Sequence, residues 1–235
     1  MKPELGRFAV LCALTLIPIQ AVQAQSRLEM MGCGSLQNPY GPFDYRTDKH
    51  KLGIVEKFHF GPEQENLTKT RGLGSNIDYT LHAFPNHHRA LMAMMKLGFR
   101  EKTSKPRGAE QTVECYMMRA ETFRPDDAMV KVIYGLYLMQ SGRPKDAVAK
   151  LEAARQVDSQ NPNVHYNLGL AYTDLKQYDK ALESAHRAYA AGFPLPGLRD
   201  KLKRAGKWRD LPYTSSPPPA PAEAPPASVD QPVSE

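Results

Sequence analysis

The 235-residue sequence is short of cysteine, carries no concentrated block of positive charge and, beyond its first two dozen residues, has no long apolar run. A membrane-spanning helix needs about 20 consecutive apolar residues, so the chain past residue 24 does not read as an integral membrane protein. The formal charge of +6 comes from 31 Lys and Arg against 25 Asp and Glu. It is spread along the chain, which is a poor electrostatic footprint for nucleic acid. None of the three cysteines stands in a CxxC pair, removing the thiol arrangement used in redox catalysis. The sequence also lacks a GxSxG elbow, a Walker loop, HExxH and CxxCH. The common signatures of hydrolase, nucleotide, zinc-protease and haem chemistry are therefore missing, and no enzyme and no cofactor is expected.

The first 24 residues have the layout of an export signal. Lys2 and Arg7 precede an apolar stretch from Phe8 to Ile19, and Val22-Gln23-Ala24 sets small residues where a signal peptidase reads. Cleavage after Ala24 would remove Lys2, Arg7 and Glu4, lowering the charge from +6 to +5. Cys12 lies inside the apolar run without lipoprotein context, so no lipid anchor is expected. The expected location is the periplasm, or outside the cell, where thiols pair. Two cysteines then remain, Cys33 and Cys115, and a disulfide between them is expected.

The middle of the chain repeats with a period of 34: Gly135 and Gly169, Ala147 and Ala181, Ala154 and Ala188 are each that far apart. A fixed period of this length means stacked supersecondary units, and small residues leave room for two helices to cross closely. The later copy contains HYNLGLAY (165–172), then Tyr178, Ala181, Ala185 and Ala188; the earlier has Lys131, Tyr134, Gly135 and Leu138, then Ala147, Leu151 and Ala154. This pattern resembles the tetratricopeptide repeat, with His165 in the Trp place and Ala185 in the Phe place. A third, degenerate copy over 85–127 fits if about nine residues near Phe99 to Gly108 are set aside, with His88, Leu91, Met92 and Met95 in its first helix and Ala120 and Pro125 in register. The basic KTSKPRG (102–108) reads as loop.

The resemblance implies an all-α solenoid of helical hairpins. The expected organisation is a signal peptide at 1–24, an irregular segment packing on the repeats at 25–84, a degenerate repeat at 85–127, and repeats at 128–161 and 162–195. A cap helix at 196–211 and a disordered Pro/Ala-rich tail at 212–235 complete it. The cap contains LRDKLKRAGKW (198–208). The family generally forms docking surfaces for protein or peptide segments, and its concave face is lined by set positions of each first helix. Carried onto this sequence, those positions are Met129, Val132, Leu136 and Met139 in one copy and Asn163, Tyr166, Leu170 and Thr173 in the next. Asn167 matches one position of the carboxylate clamp found in some relatives, but Val132 and Leu136 stand where the clamp has Lys and Asn. The groove is thus expected to be mostly apolar and to gain by burying area.

Two questions stay open at this level. Residues 25–84 hold Pro39, Tyr40, Phe43, Tyr45, Phe58 and Phe60, which need packing partners; they could fill the groove or leave it open. KLGIVEKFHF (51–60) suits a strand or a helix turn. Pro62 with Glu63 and Glu65 reads as a short helix start, and Arg71-Gly72-Leu73-Gly74-Ser75 as a loop. The alternative to an adaptor is a copper or small-ligand protein using His82, His87, His88 and nearby methionines such as Met92, since imidazole and thioether suit copper. Core packing explains those methionines as well, and Asn86-His87-His88-Arg89 reads as the polar opening of a helix with Asn86 as N-cap. The tail from Pro212 carries Glu223, Asp230 and Glu235; leaving it out raises the charge of 25–211 to +8. A weak, salt-sensitive attraction to anionic envelope surfaces is the consequence. The expected partner is a protein or peptide segment of the cell envelope, without nucleic acid.

Overall fold

The computed structural model describes residues 26–69 and 71–210. The expected signal peptide at 1–24 and the whole Pro/Ala-rich tail at 212–235 lie outside them. Among the described residues there are helices and turns but no strand, and no helix is long and apolar enough to cross a membrane. After a helical turn at 26–30, the elements are α1 (Lys49–His59), α2 (Pro62–Glu65), α3 (Leu73–Ala83), α4 (His88–Glu101) and α5 (Val113–Phe123). Then come α6 (Ala128–Gln140), α7 (Pro144–Val157), α8 (Pro162–Asp174), α9 (Tyr178–Ala190) and α10 (Gly197–Arg204).

The pairs α6/α7 and α8/α9 are the hairpins of the 34-residue period. A Cβ on Gly135 would lie 2.7 Å from Leu151 of α7, and one on Gly169 would lie 2.3 Å from Leu198 of α10. Bare backbone at these points is what lets the helices approach so closely. The facing small residues Ala147, Ala154, Ala181, Ala185 and Ala188 are fully buried. Both hairpins turn through a left-handed residue, Gly142 (φ 73°) in one and Lys176 (φ 59°) in the other. Arg143 N–H then bonds Leu138 O and Gln177 N–H bonds Tyr172 O, closing the last turn of each first helix.

The same architecture continues upstream with a longer spacing, and there the expected register requires correction. Three turns between hairpins have one design: Phe84, Arg124 and Asp158 each donate to the carbonyl four residues back, and His87, Asp127 and Asn161 each donate to that capping residue's carbonyl. The N-caps His87, Asp127 and Asn161 each accept a backbone N–H with their side chain. The step from His87 to Asp127 is 40 residues, so six residues are inserted instead of nine. The N-cap of α4 is His87 and not Asn86. Met95 stands where Gly135 and Gly169 stand later, and it is fully buried. A side chain at this point holds α4 and α5 apart, and the loop between them runs from 102 to 112.

Residues 25–84 are not irregular throughout. The helix α3 lies 40 residues before α5, with Leu73, Ile77 and Thr80 buried at the positions of Val113, Met117 and Ala120. It packs against both α1 and α4, so α1 and α3 form one more hairpin with the single turn α2 between them. The undecided 51–60 stretch is helix, because Leu52 and Val55 give it one apolar side against Phe84, with Tyr40, Phe43 and Tyr45 packed around them. The expected 71–75 loop begins α3 at Leu73. Gly74 permits this, since a Cβ there would sit 2.1 Å from the Arg107 carbonyl oxygen of the KTSKPRG loop.

Two devices tie the N-terminal part to the stack. Cys33 and Cys115 are joined in a disulfide spanning a separation of 82, which packs with Leu28, Leu36 and Met118. Arg119 adds hydrogen bonds to the Cys33 and Ser35 carbonyls. The second device is a polar network around buried Asn86. Its Nδ2 donates to Asp44 Oδ1 (2.7 Å) and Asp127 Oδ2 (3.0 Å), while its Oδ1 accepts from Tyr45 N–H (2.9 Å). Arg46 bridges Asp44 and Asp126, so the 44–46 loop clasps two successive inter-hairpin turns.

Candidate functional site

The first helices α4, α6 and α8 lie side by side and form a groove of about 350 Å³. Met129, Val132 and Leu136 of α6 line it together with Asn163 and Asn167 of α8. The rest of the wall comes from α4, through His88, Arg89, Met92 and Lys96, and from Glu65 of α2. With the 40-residue step, Arg89, Met92 and Lys96 occupy the positions of Met129, Val132 and Leu136. Sequence reasoning missed Arg89 and Lys96 because the groove positions were carried only onto the two clear repeats, and its register on α4 was three residues out as well. Three residues is nearly one helical turn, so the misplaced set still looked amphipathic; the His87 cap was the signal that fixes it.

The groove has an apolar floor and a polar rim. Val132 is only 1% exposed, held by its neighbours, while Met92, Met129 and Leu136 are half-buried. Asn167 Nδ2 donates to the Asn163 carbonyl (2.8 Å). Arg89 is held by Glu65, with Nε to Oε1 at 2.9 Å, and by Glu56 at 3.1 Å. The Arg89 guanidinium lowers the Glu65 carboxyl, against partial burial that raises it, and Lys96 adds to the lowering. His88 Nε2 bonds Asp127 at 2.9 Å. Burial pushes Asp127 up, but His88, Asn86 and the Val130 N–H together hold it below the usual carboxylate value.

Four expected groove residues are placed elsewhere. Tyr166 stacks on Phe193 with ring centroids 4.2 Å apart, because the chain after α9 folds back beside α8. Leu170 packs half-buried in the core of the last repeats. Thr173 is buried and bonds back to the Gly169 carbonyl (2.7 Å). Met139 bridges the two large cores near the end of α6. The aromatic residues of 25–84 do not line the groove. Phe43, Tyr40 and Tyr45 pack around α1, and Phe60 packs in the core of α3 to α5; among the described residues of 25–84, Glu65 alone lines the groove.

The histidines do not converge into a copper site. His82 bonds the Asp78 carbonyl (3.0 Å). His87 is buried, with Nδ1 accepting Ala90 N–H and Nε2 on Glu56 (3.2 Å), and His88 is on Asp127. Burial lowers the His87 imidazole to about 3. Met92 lies in the groove wall with His88, but His82 and His87 are committed to other carboxylates. Asp78, His82 and Glu110 do have ligand atoms within 4.8 Å of one another. Asp78 is engaged by the Tyr116 hydroxyl and the Glu110 N–H; its hydrogen bond raises His82, and the nearby Arg119 charge, which works against that rise, opposes a cation.

Residues 138–188 match the tetratricopeptide repeat family, so the stretch from the end of α6 to α9 contains a tetratricopeptide repeat. No curated protein matches the sequence. Among solved structures, MamA MSR-1 C2 is 13% identical, covering 73% of this chain and 91% of that one with a TM-score of 0.38. A likeness of that degree says nothing of function. A tetratricopeptide-repeat fold suggests a protein-interaction scaffold, and the groove has an apolar floor.

Proposed function

We propose that the chain is an exported, non-catalytic adaptor that docks an extended or helical segment of an envelope protein in the groove shared by α4, α6 and α8. The observation that carries this reading is the groove itself, with Met92, Met129, Val132 and Leu136 beneath and Asn163, Asn167, Arg89 and Lys96 at its edge. A seat of this kind takes an apolar side chain, worth about 2 kcal/mol for one Leu-sized group, while the amides offer hydrogen bonds to a peptide backbone. The expected segment presents Leu, Phe or Pro to the floor and a carboxylate toward Lys96. Export is supported by the basic start, the apolar 8–19 run and the small residues before Gln25. The paired Cys33 and Cys115 fit an oxidising compartment.

Cell fractionation with N-terminal sequencing tests export: the protein is expected in the osmotic-shock fraction, beginning at Gln25. Recovery at full length in the cytoplasm would overturn it. The groove is tested by Leu136→Glu, which places a charge on a half-buried floor residue. Loss of the co-purifying envelope protein with unchanged circular dichroism supports docking there, and retention of that partner rejects it.

A further inference from the structure

The outer face of α1 is unlike the rest of the helix. The inner face buries Leu52 and Val55 and points its single carboxylate, Glu56, at His87 and Arg89. The outward face carries Ile54 and Phe58, 56% and 62% exposed. They are four residues apart, so they stand together, about 6 Å apart along the axis. On the same outward arc, by helical periodicity, lie His50, Lys51 and Lys57, all exposed. The Lys57 ammonium lies 5.4 Å from the Phe58 ring centroid. Glu56 is the only acid in α1, so this arc holds two protruding apolar side chains, two lysines and a histidine without a carboxylate.

From this arrangement we propose that the outward face of α1 docks the protein onto the headgroup layer of an anionic phospholipid bilayer. A single convex helix face offers no cleft for a protein segment, whereas a bilayer interface accepts protruding side chains without a matching pocket. Ile54 and Phe58 would enter the boundary between headgroups and acyl chains, while Lys51 and Lys57 meet lipid phosphates, the division of labour of an interfacial amphipathic helix. The contact is reversible and weakens with salt, because two apolar anchors and two lysines fall short of stable anchoring. It is independent of the groove and would leave that site free for its partner.

The test is co-sedimentation of the purified full chain with vesicles of equal parts phosphatidylglycerol and phosphatidylcholine, and with vesicles of phosphatidylcholine alone. Binding is expected only to the anionic vesicles, and Phe58→Ser should weaken it about tenfold. The Lys51→Gln/Lys57→Gln pair should weaken it about 25-fold at low salt, roughly fivefold per lysine. All of these residues are exposed, so the variants should keep the wild-type circular dichroism, and Leu136→Glu should leave vesicle binding unchanged. The proposal is overturned if the chain binds neither vesicle, or if Phe58→Ser binds like wild type. It is also overturned if soluble polyglutamate is bound as tightly, which would make the partner an acidic polymer. A dimer in sedimentation velocity that Phe58→Ser abolishes would reassign the face to a second copy of this chain.

Discussion

Replacing both Cys33 and Cys115 with Ala should lower stability by about 4.5 kcal/mol at 25 °C, because their bond closes a loop with a sequence separation of 82. The bond holds the turn at 26–30 and the Leu28 side chain onto α5, so its loss frees the start of the described chain while α6 to α9 keep their packing. Arg119, buried and bonded to the Cys33 and Ser35 carbonyls, would lose those acceptors as the segment moves away. That adds a cost of about 1–3 kcal/mol where the guanidinium stays buried. For a chain of this size the bond alone corresponds to about 10–15 °C in Tm. The assay is urea unfolding followed by circular dichroism, for wild type with and without reductant and for the double variant. Reduced wild type and the variant should shift together. A shift below about 1 kcal/mol in both would refute the reasoning, since it would mean the two cysteines are already close in the unfolded chain or add no constraint to it.

Two further perturbations test the buried histidine and the last hairpin turn. Burial holds the folded His87 near 3 against an unfolded value near 6.5, so the unfolded chain binds the extra proton in between and stability falls as pH drops below 6.5. His82 is raised by its hydrogen bond to Asp78, against burial; its contribution is fully present below 6.5 and is lost only as pH rises through its folded value. Between pH 6.5 and 5 His87 supplies most of the slope, worth about 2 kcal/mol at pH 5, and the lowered carboxyls of Glu65 and Glu121 add to it in the same direction only toward pH 5. His87→Asn should keep the helix cap and remove most of that slope in denaturation at several pH values; an unchanged slope would contradict it. Lys176 holds the left-handed turn position that Gly142 holds one repeat earlier, so Lys176→Gly should stabilise by about 1 kcal/mol in urea unfolding. A loss of stability would mean that Lys176 makes a contact outweighing its backbone strain.

The two 34-residue hairpins were legible because Gly135, Gly169 and the buried alanines leave a periodic mark of small residues. That mark fades upstream for a steric reason. Once Met95 replaces the crossing glycine and six residues enter the step, the helices stand farther apart and no longer demand Gly and Ala facing each other. The α1/α3 hairpin was hidden in the same way, with Leu73 and Thr80 at positions that hold alanines in both later repeats. In the structure Met129, Val132, Leu136, Asn163 and Asn167 were found along one groove, since first-helix spacing decides which side chains share that face. Tyr166 was not, because what covers it is Phe193, a loop residue whose landing place no periodicity encodes. The α4 wall needed the His87 cap, a contact between one side chain and one N–H that composition does not reveal.

The most direct test of the adaptor reading is site-specific photocrosslinking in cells from position 136, on the groove floor, with position 180 on the exposed side of α9 as control. An adduct to one other envelope protein from 136 and not from 180, lost when Met92→Lys places a charge in the same groove, is the expected result. Adducts confined to this chain's own residues, or identical adducts from both positions, would contradict docking in the groove.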